Sequence, residues 1–234
     1  MDFMRLLKSL EELLYELVSW LVFYPLTFWR AFTRPLSMMA YADDELGDQI
    51  EEQYDDTISP PLFLLITLLL SQALSGAFPA PAAAQETLHV LSQSTSNLLI
   101  ARGVIFGVFP MTMAIMLLRF KGLQLTRSTL RPPFFSQCYA AGPFVFLIGL
   151  AVDFLAVPSG RGLPFGLAIL SLSLVWYGQA QIRWFRRDLG IGRVKATGLV
   201  LVALAIASFA ALLVALAVSL QLLSWNDATT VPRQ

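Results

Sequence analysis

The amino-acid sequence predicts an all-α integral membrane protein, a five-transmembrane-helix bundle preceded by an amphipathic cytoplasmic helix. Composition is the first reason: 56% of the 234 residues are hydrophobic and only 14% charged, with a mean hydropathy of +0.66, where a soluble domain carries about 25% charged residues. Length is the second. Five apolar runs come close to or exceed the roughly 20 residues that a helix rising 1.5 Å per residue needs to cross a hydrocarbon core about 30 Å thick. The third is the distribution of Lys and Arg, which gather in alternate segments between those runs, as they do in cytoplasmic loops.

From the N-terminus, residues 1–42 read as an amphipathic, interfacial segment. Phe3, Leu6, Leu7, Leu10, Leu13, Leu14, Leu17 and Leu21 recur at helical spacing, with Arg5, Lys8, Glu12, Glu16 and Ser19 opposite. Pro25 predicts the end of this helix. The apolar stretch 17–29 is short for a span and holds that proline, while Trp20, Tyr24, Trp29, Arg30 and Arg34 suit headgroup depth. Residues 13–29 as a sixth, kinked span, and the apolar stripe docked on a partner helix, are the alternatives. Residues 43–59 follow as an acidic juxtamembrane linker. Asp43, Asp44, Glu45, Asp48, Glu51, Glu52, Asp55 and Asp56 repel one another with no basic residue among them, so a mobile, solvated tether is expected. Their spacing is not that of a calcium loop.

Residues 60–224 make the transmembrane domain. The first run, about 60–78, opens with Pro60 and Pro61, where a missing N–H costs nothing in the first turn. The second, about 97–118, is interrupted by Arg102, and the third, about 134–157, contains Asp153. The fourth, about 163–182, begins near Pro164, and the fifth, about 196–223, carries no charge. Residues 225–234 form a short tail. Arg5, Lys8, Arg30 and Arg34, then Arg119, Lys121, Arg127 and Arg131, then Arg183, Arg186, Arg187, Arg193 and Lys195 all fall on one side, against Arg161 and Arg233 on the other. This asymmetry predicts a cytoplasmic N-terminus and a C-terminus outside. The Ala/Pro stretch 80–85 reads as an outer loop rather than a cleavage site, because about sixty residues precede the run. Short loops without an organelle address suit a bacterial inner membrane.

An ionisable side chain within a span needs a partner or water. Arg102 and Asp153 lie at similar depth near the outer ends of the second and third runs, so they are expected to pair. Pro110 and Pro143 each free a carbonyl one turn earlier and allow a kink. Small residues at intervals of four, Thr67, Ser71 and Ser75, Gly103 and Gly107, and Ala203, Ala207, Ala211 and Ala215, mark faces for close helix packing within the chain or between copies. Gln72, Gln179 and Gln181 can add interhelical hydrogen bonds.

Catalysis has little to draw on. His89 is the single His and falls in an outer loop; Cys138 is the single Cys and has no base beside it in sequence; Asp153 is the one carboxylate within a run. Triad, zinc, haem and paired-aspartate chemistries therefore lack their residue sets, and no Gly-Lys-Ser/Thr phosphate loop occurs. The expectation is a non-enzymatic protein with no cofactor and no metal site. A formal net charge of zero removes the whole-chain case for nucleic acid. The expected partners are the lipid bilayer and either another membrane protein or further copies of the chain.

Phe23-Tyr-Pro-Leu-Thr-Phe-Trp-Arg-Ala-Phe-Thr-Arg-Pro35, then an acidic stretch, then Ile58-Ser59-Pro60-Pro61-Leu62 entering five apolar runs, resembles the layout of the Yip family. In that family an N-terminal cytoplasmic region precedes a five-helix membrane domain. The eukaryotic Asp-Leu-Tyr-Gly-Pro and Gly-Tyr signatures are absent. The resemblance implies a membrane organiser or adaptor, with no catalytic residues to carry over. The alternative is a small permease or channel subunit using Arg102, Asp153 and the helices kinked at Pro110 and Pro143.

Overall fold

The computed structural model describes the backbone of residues 2–49, 52–78, 95–157 and 160–230, and the side chains of these except 2–3, 5–6, 95–102, 105 and 218–230. Among the described residues every regular element is a helix: α1 (Asp2–Thr33), α2 (Pro35–Glu45), α3 (Pro60–Ser75), α4 (Thr95–Phe120), α5 (Arg127–Leu155), α6 (Leu163–Leu189) and α7 (Arg193–Thr230). Helices therefore occupy all five apolar runs. Three stretches, Arg127–Leu155, Leu163–Leu189 and Arg193–Ala217, are long and apolar enough to cross a membrane; Pro60–Ser75 and Phe106–Phe120 are shorter apolar segments.

The centre of the molecule is α5. Its middle reads Ser-Gln-Cys-Tyr-Ala-Ala-Gly-Pro-Phe-Val, and all ten residues, Ser136 to Val145, are buried. A helix buried on every face must be enclosed by others, and α5 touches α1, α2, α3, α4 and α6. Half of its apolar stretch is buried (50%), against 22% for α6 and for α7. Small residues permit this crowding. A Cβ placed on Gly142 would strike the Phe63 ring, and one on Gly149 would strike the Ser71 hydroxyl, so α3 and α5 approach where α5 lacks side chains.

The core joins Leu64 and Leu68 of α3, Met113 and Leu117 of α4, Phe144 and Val145 of α5, Tyr177 and Phe185 of α6, and Val200 and Ala203 of α7. Phe144 stacks on Tyr177 with ring centroids 4.2 Å apart. The outer faces keep large apolar residues exposed, among them Leu65 and Leu69 on α3, Leu172 and Val175 on α6, and Val202, Ile206, Phe209 and Leu213 on α7. Large apolar side chains left exposed on several helices suit a hydrocarbon surround. With three helices of spanning length, the chain is a helical membrane protein.

The structure corrects the sequence expectation at three places. The first helix does not stop at Pro25 but runs on to Thr33. A proline deletes one hydrogen bond, and the packing of residues 27–33 holds the following turns in place. The acidic segment is not a bare solvated tether: Asp43, Asp44 and Glu45 lie in α2, while Tyr54, Thr57 and Ile58 are buried. These residues, with Tyr41, supply the packing material that the charges alone would not. Finally, Arg183, Arg186 and Arg187 belong to a helix and not to a loop, because α6 continues to Leu189 before Gly190 ends it in the left-handed region at φ +63°.

Candidate functional site: the junction of arm and bundle

Four residues apart along α1, Tyr24, Phe28 and Phe32 present one aromatic stripe. Tyr24 donates its hydroxyl to Thr67 Oγ1 of α3 at 3.1 Å, and its ring lies 5.6 Å from that of Phe63. Phe28 meets Phe63 of α3 and Phe146 of α5, with centroids 6.3 Å and 5.4 Å away. Phe32 stacks on Trp176 of α6 at 5.4 Å, and the Trp176 indole N–H donates to the Phe32 carbonyl. Successive turns of α1 thus meet α3, α5 and α6 in order. Eight residues advance about 12 Å, a little more than one interhelical spacing, so this half of α1 crosses the bundle instead of running along one helix. Trp29, on the other side, is 66% exposed.

Ile58, two residues before α3, is clamped by both neighbours. Its N–H donates to Thr27 Oγ1 of α1 at 3.2 Å, and its carbonyl accepts from the Tyr139 hydroxyl of α5 at 2.8 Å. Both side chains are buried, and the bonds leave neither backbone group unsatisfied there. From Tyr139 the network runs outward. Tyr139 and Tyr41 each lie 3.2 Å from Thr57 Oγ1, Tyr41 donates to Asp56 at 2.7 Å, and Asp56 accepts from Arg30 at 2.8 Å. Since Tyr41 and Tyr139 commit their single protons to Asp56 and Ile58, the Thr57 hydroxyl can donate to only one phenol oxygen at a time.

The electrostatics follow from this arrangement. The hydrogen bond from Tyr41, aided by Arg30, holds the Asp56 carboxyl below its ordinary 3.8. Asp43 moves the other way: burial of its carboxyl against Ser136 of α5 pushes it up, opposed by the Ser136 hydrogen bond itself. Burial likewise raises Tyr41 and Tyr54, which stay neutral phenols. Tyr54 sits at φ +65°, a region costing a non-glycine residue about 1–2 kcal/mol. Its ring packs on Tyr41 and Phe135, its amide donates to the Glu45 carboxylate, and its hydroxyl donates to the Ala42 carbonyl. A chain held this way is a latch between arm and bundle.

The residues singled out from sequence fall elsewhere. Asp153 is half-buried in α5 and accepts from Ser75 Oγ of α3 at 2.8 Å. Arg102 lies in α4 with its side chain outside the described residues, as do His89 and the whole 80–85 stretch. Pro110 and Pro143 are buried inside helices that continue through them. Ser71 and Ser75 of the predicted stripe do face α5, Thr67 is buried and accepts from Tyr24 of α1, and Ala203, Ala207 and Ala211 are buried. Gly103 and Gly107 meet nothing within 4 Å of an added Cβ. Among the described residues no three of His, Cys, Asp and Glu converge as metal ligands.

Sequence reading passed over two polar features. One is the latch, for which Thr27, a hydroxyl in an apolar and aromatic stretch, was a signal. The other is a buried contact in which Gln181 Nε2 donates to Gln137 Oε1 at 2.6 Å, and among the described residues Gln137 Nε2, Gln181 Oε1 and Trp184 Nε1 find no hydrogen-bond partner. Gln181 was visible as a polar residue in a run, but its partner on α5 was not. Comparison with known proteins gives no matching family model, no matching curated protein and no matching solved structure.

Proposed function

We propose that this chain is a non-enzymatic membrane organiser or adaptor, a five-span protein of the bacterial inner membrane whose cytoplasmic N-terminal arm binds other membrane proteins or lipids. The observation that carries the reading is the division of α1. Residues from Tyr24 to Phe32 are latched to the bundle, while Leu7, Leu10, Leu13, Leu14 and Leu17 remain exposed on the preceding turns. A leucine stripe on a rigidly held helix is suited to seat in a lipid interface or to dock on a neighbouring helix. The basic-residue asymmetry supports the orientation, and the Yip-like layout supports the class.

Photo-crosslinking from Leu10 and Leu14 in native membranes tests it. Adducts to lipid or to a membrane protein are expected; free access of a water-soluble reagent along the whole stripe would remove the proposal. The permease reading is favoured by one observation, the polar atoms of Gln137 and Gln181 that find no partner among the described residues inside the bundle. Cysteine accessibility extending past Asp153 toward Pro143 and Gln137 would establish that reading in place of the first.

A further inference from the structure

The turn between α6 and α7 joins two of the three helices that are long and apolar enough to span, so residues 190–192 lie at a bilayer surface. A cleft of about 430 Å³ opens there, lined by Arg183, Arg186, Arg187, Gly190 and Ile191. The three arginines stand at i, i+3 and i+4, on one helix face, and are exposed.

Their charge is uncompensated. Between residues 183 and 195 there are four arginines and one lysine but a single acid, Asp188, and that carboxylate accepts from Lys121 Nζ, in the turn just after α4, at 2.7 Å. Among the described residues the ion pairs are Lys8–Glu12, Arg30–Asp56 and Lys121–Asp188, and none involves the cleft. The Arg187 guanidinium lies 5.9 Å above the ring centre of buried Trp184, which restrains its plane. A helix C-terminus favours basic residues in its last turn, and cytoplasmic loops retain them. Neither effect calls for three of them to share one open cleft.

We propose that this cleft binds the phosphate of an anionic phospholipid headgroup. A phosphodiester at the membrane surface is the anion available at that depth, and guanidinium forks match its oxygens in a way that a point charge does not. The inference deepens the proposed function by naming a lipid, and it rests on that reading only for the membrane placement of the turn.

The full chain is reconstituted into vesicles of phosphatidylcholine, with and without about one third phosphatidylglycerol, recovered by flotation, and the lipid that stays with it after detergent extraction is measured. Wild type is expected to retain phosphatidylglycerol preferentially, R183Q/R186Q/R187Q to lose that preference by about tenfold or more, and R119Q/R127Q/R131Q, the same charge change on the same side, to keep it. The lysine triple R183K/R186K/R187K conserves charge and fold and is expected to lose most of the preference too. Undiminished retention by either cleft variant, or equal loss in the control triple, overturns the site in favour of diffuse charge. Full displacement by millimolar inorganic phosphate overturns the lipid in favour of a soluble anion. Wild type that floats without enrichment defeats this inference alone, whereas wild type that fails to float defeats the membrane reading with it.

Discussion

The two halves of α1 share one helix and meet opposite fates. Residues 4–19 carry the more regular amphipathic pattern, yet Leu7, Leu10, Leu13, Leu14 and Leu17 stay exposed, whereas residues 20–33 are less regular, contain a proline, and are docked on three helices. Apolar content differs, with five charged residues in 4–19 against Arg30 alone in 20–33, but it does not decide the outcome, since Leu21, Val22 and Trp29 of the second half stay exposed. What separates them is that the second half offers shapes and polar groups with fixed partners: aromatic rings that fit between α3, α5 and α6, and the Thr27 hydroxyl that receives the Ile58 amide. Burial needs a complementary surface as well as hydrophobicity, because a buried polar group must be bonded and a buried ring must be packed.

The most severe way to break the contrast is to remove the ring on which the docked half rests. Phe63 is fully buried and touches Tyr24, Phe28 and Tyr139, so Phe63→Ala is expected to destabilise by about 3–5 kcal/mol. Release of residues 20–33 to protease alongside a lowered melting temperature is the readout. Overfilling the same place, Gly142→Ala is expected to cost about 1–3 kcal/mol by forcing the Phe63 ring aside. Next comes Thr27→Val, which keeps the shape and strands the Ile58 amide, for about 1–3 kcal/mol; faster hydrogen exchange at Ile58, with the first half of α1 unchanged, would show it.

Acidity sharpens the comparison, because the latch titrates and the leucine half does not depend on it. Asp43 is raised, so the docked state binds its proton more tightly than the free chain does. Docking should strengthen as pH falls through that raised value toward the ordinary 3.8. Asp56 is lowered, so its contribution is complete above 3.8 and is lost as pH falls through its depressed value. Arm protection should therefore peak in mild acid and then decline, and Asp43→Asn should abolish the rise while keeping the decline. The smallest effect on stability, within about 0.5 kcal/mol, is expected for Leu10→Ser with Leu14→Ser, since exposed side chains away from packed features contribute little. A melting curve that matches wild type, together with lost crosslinking, would separate the function of the arm from its fold.

Arg30 and Asp56 show where sequence reading stops. Both were visible as charges, one as a headgroup anchor and the other as part of an acidic run, but the 26 positions between them hide a 2.8 Å contact. The same holds for Thr57 and Tyr139, which are 82 positions apart. Asp153 was recognised as needing a partner, and the hydroxyl of Ser75 on α3 supplies one. The three arginines of the cleft were counted for topology, and only the continuation of α6 to Leu189 puts them on a common face.

By itself the sequence determined what is local and periodic: helices at every apolar run, prolines opening α3 and α6, an amphipathic start, and basic residues gathered in alternate intervals between the runs. These follow from hydropathy, helical spacing and the cost of placing charge in hydrocarbon, all of which act along the chain. Only the tertiary structure decided that α5 is the hub, that α1 divides at about Trp20, and that the acidic segment folds into a latch. Those outcomes depend on which small residue faces which ring and which donor meets which acceptor across long separations, and such matches exist only once the helices are packed.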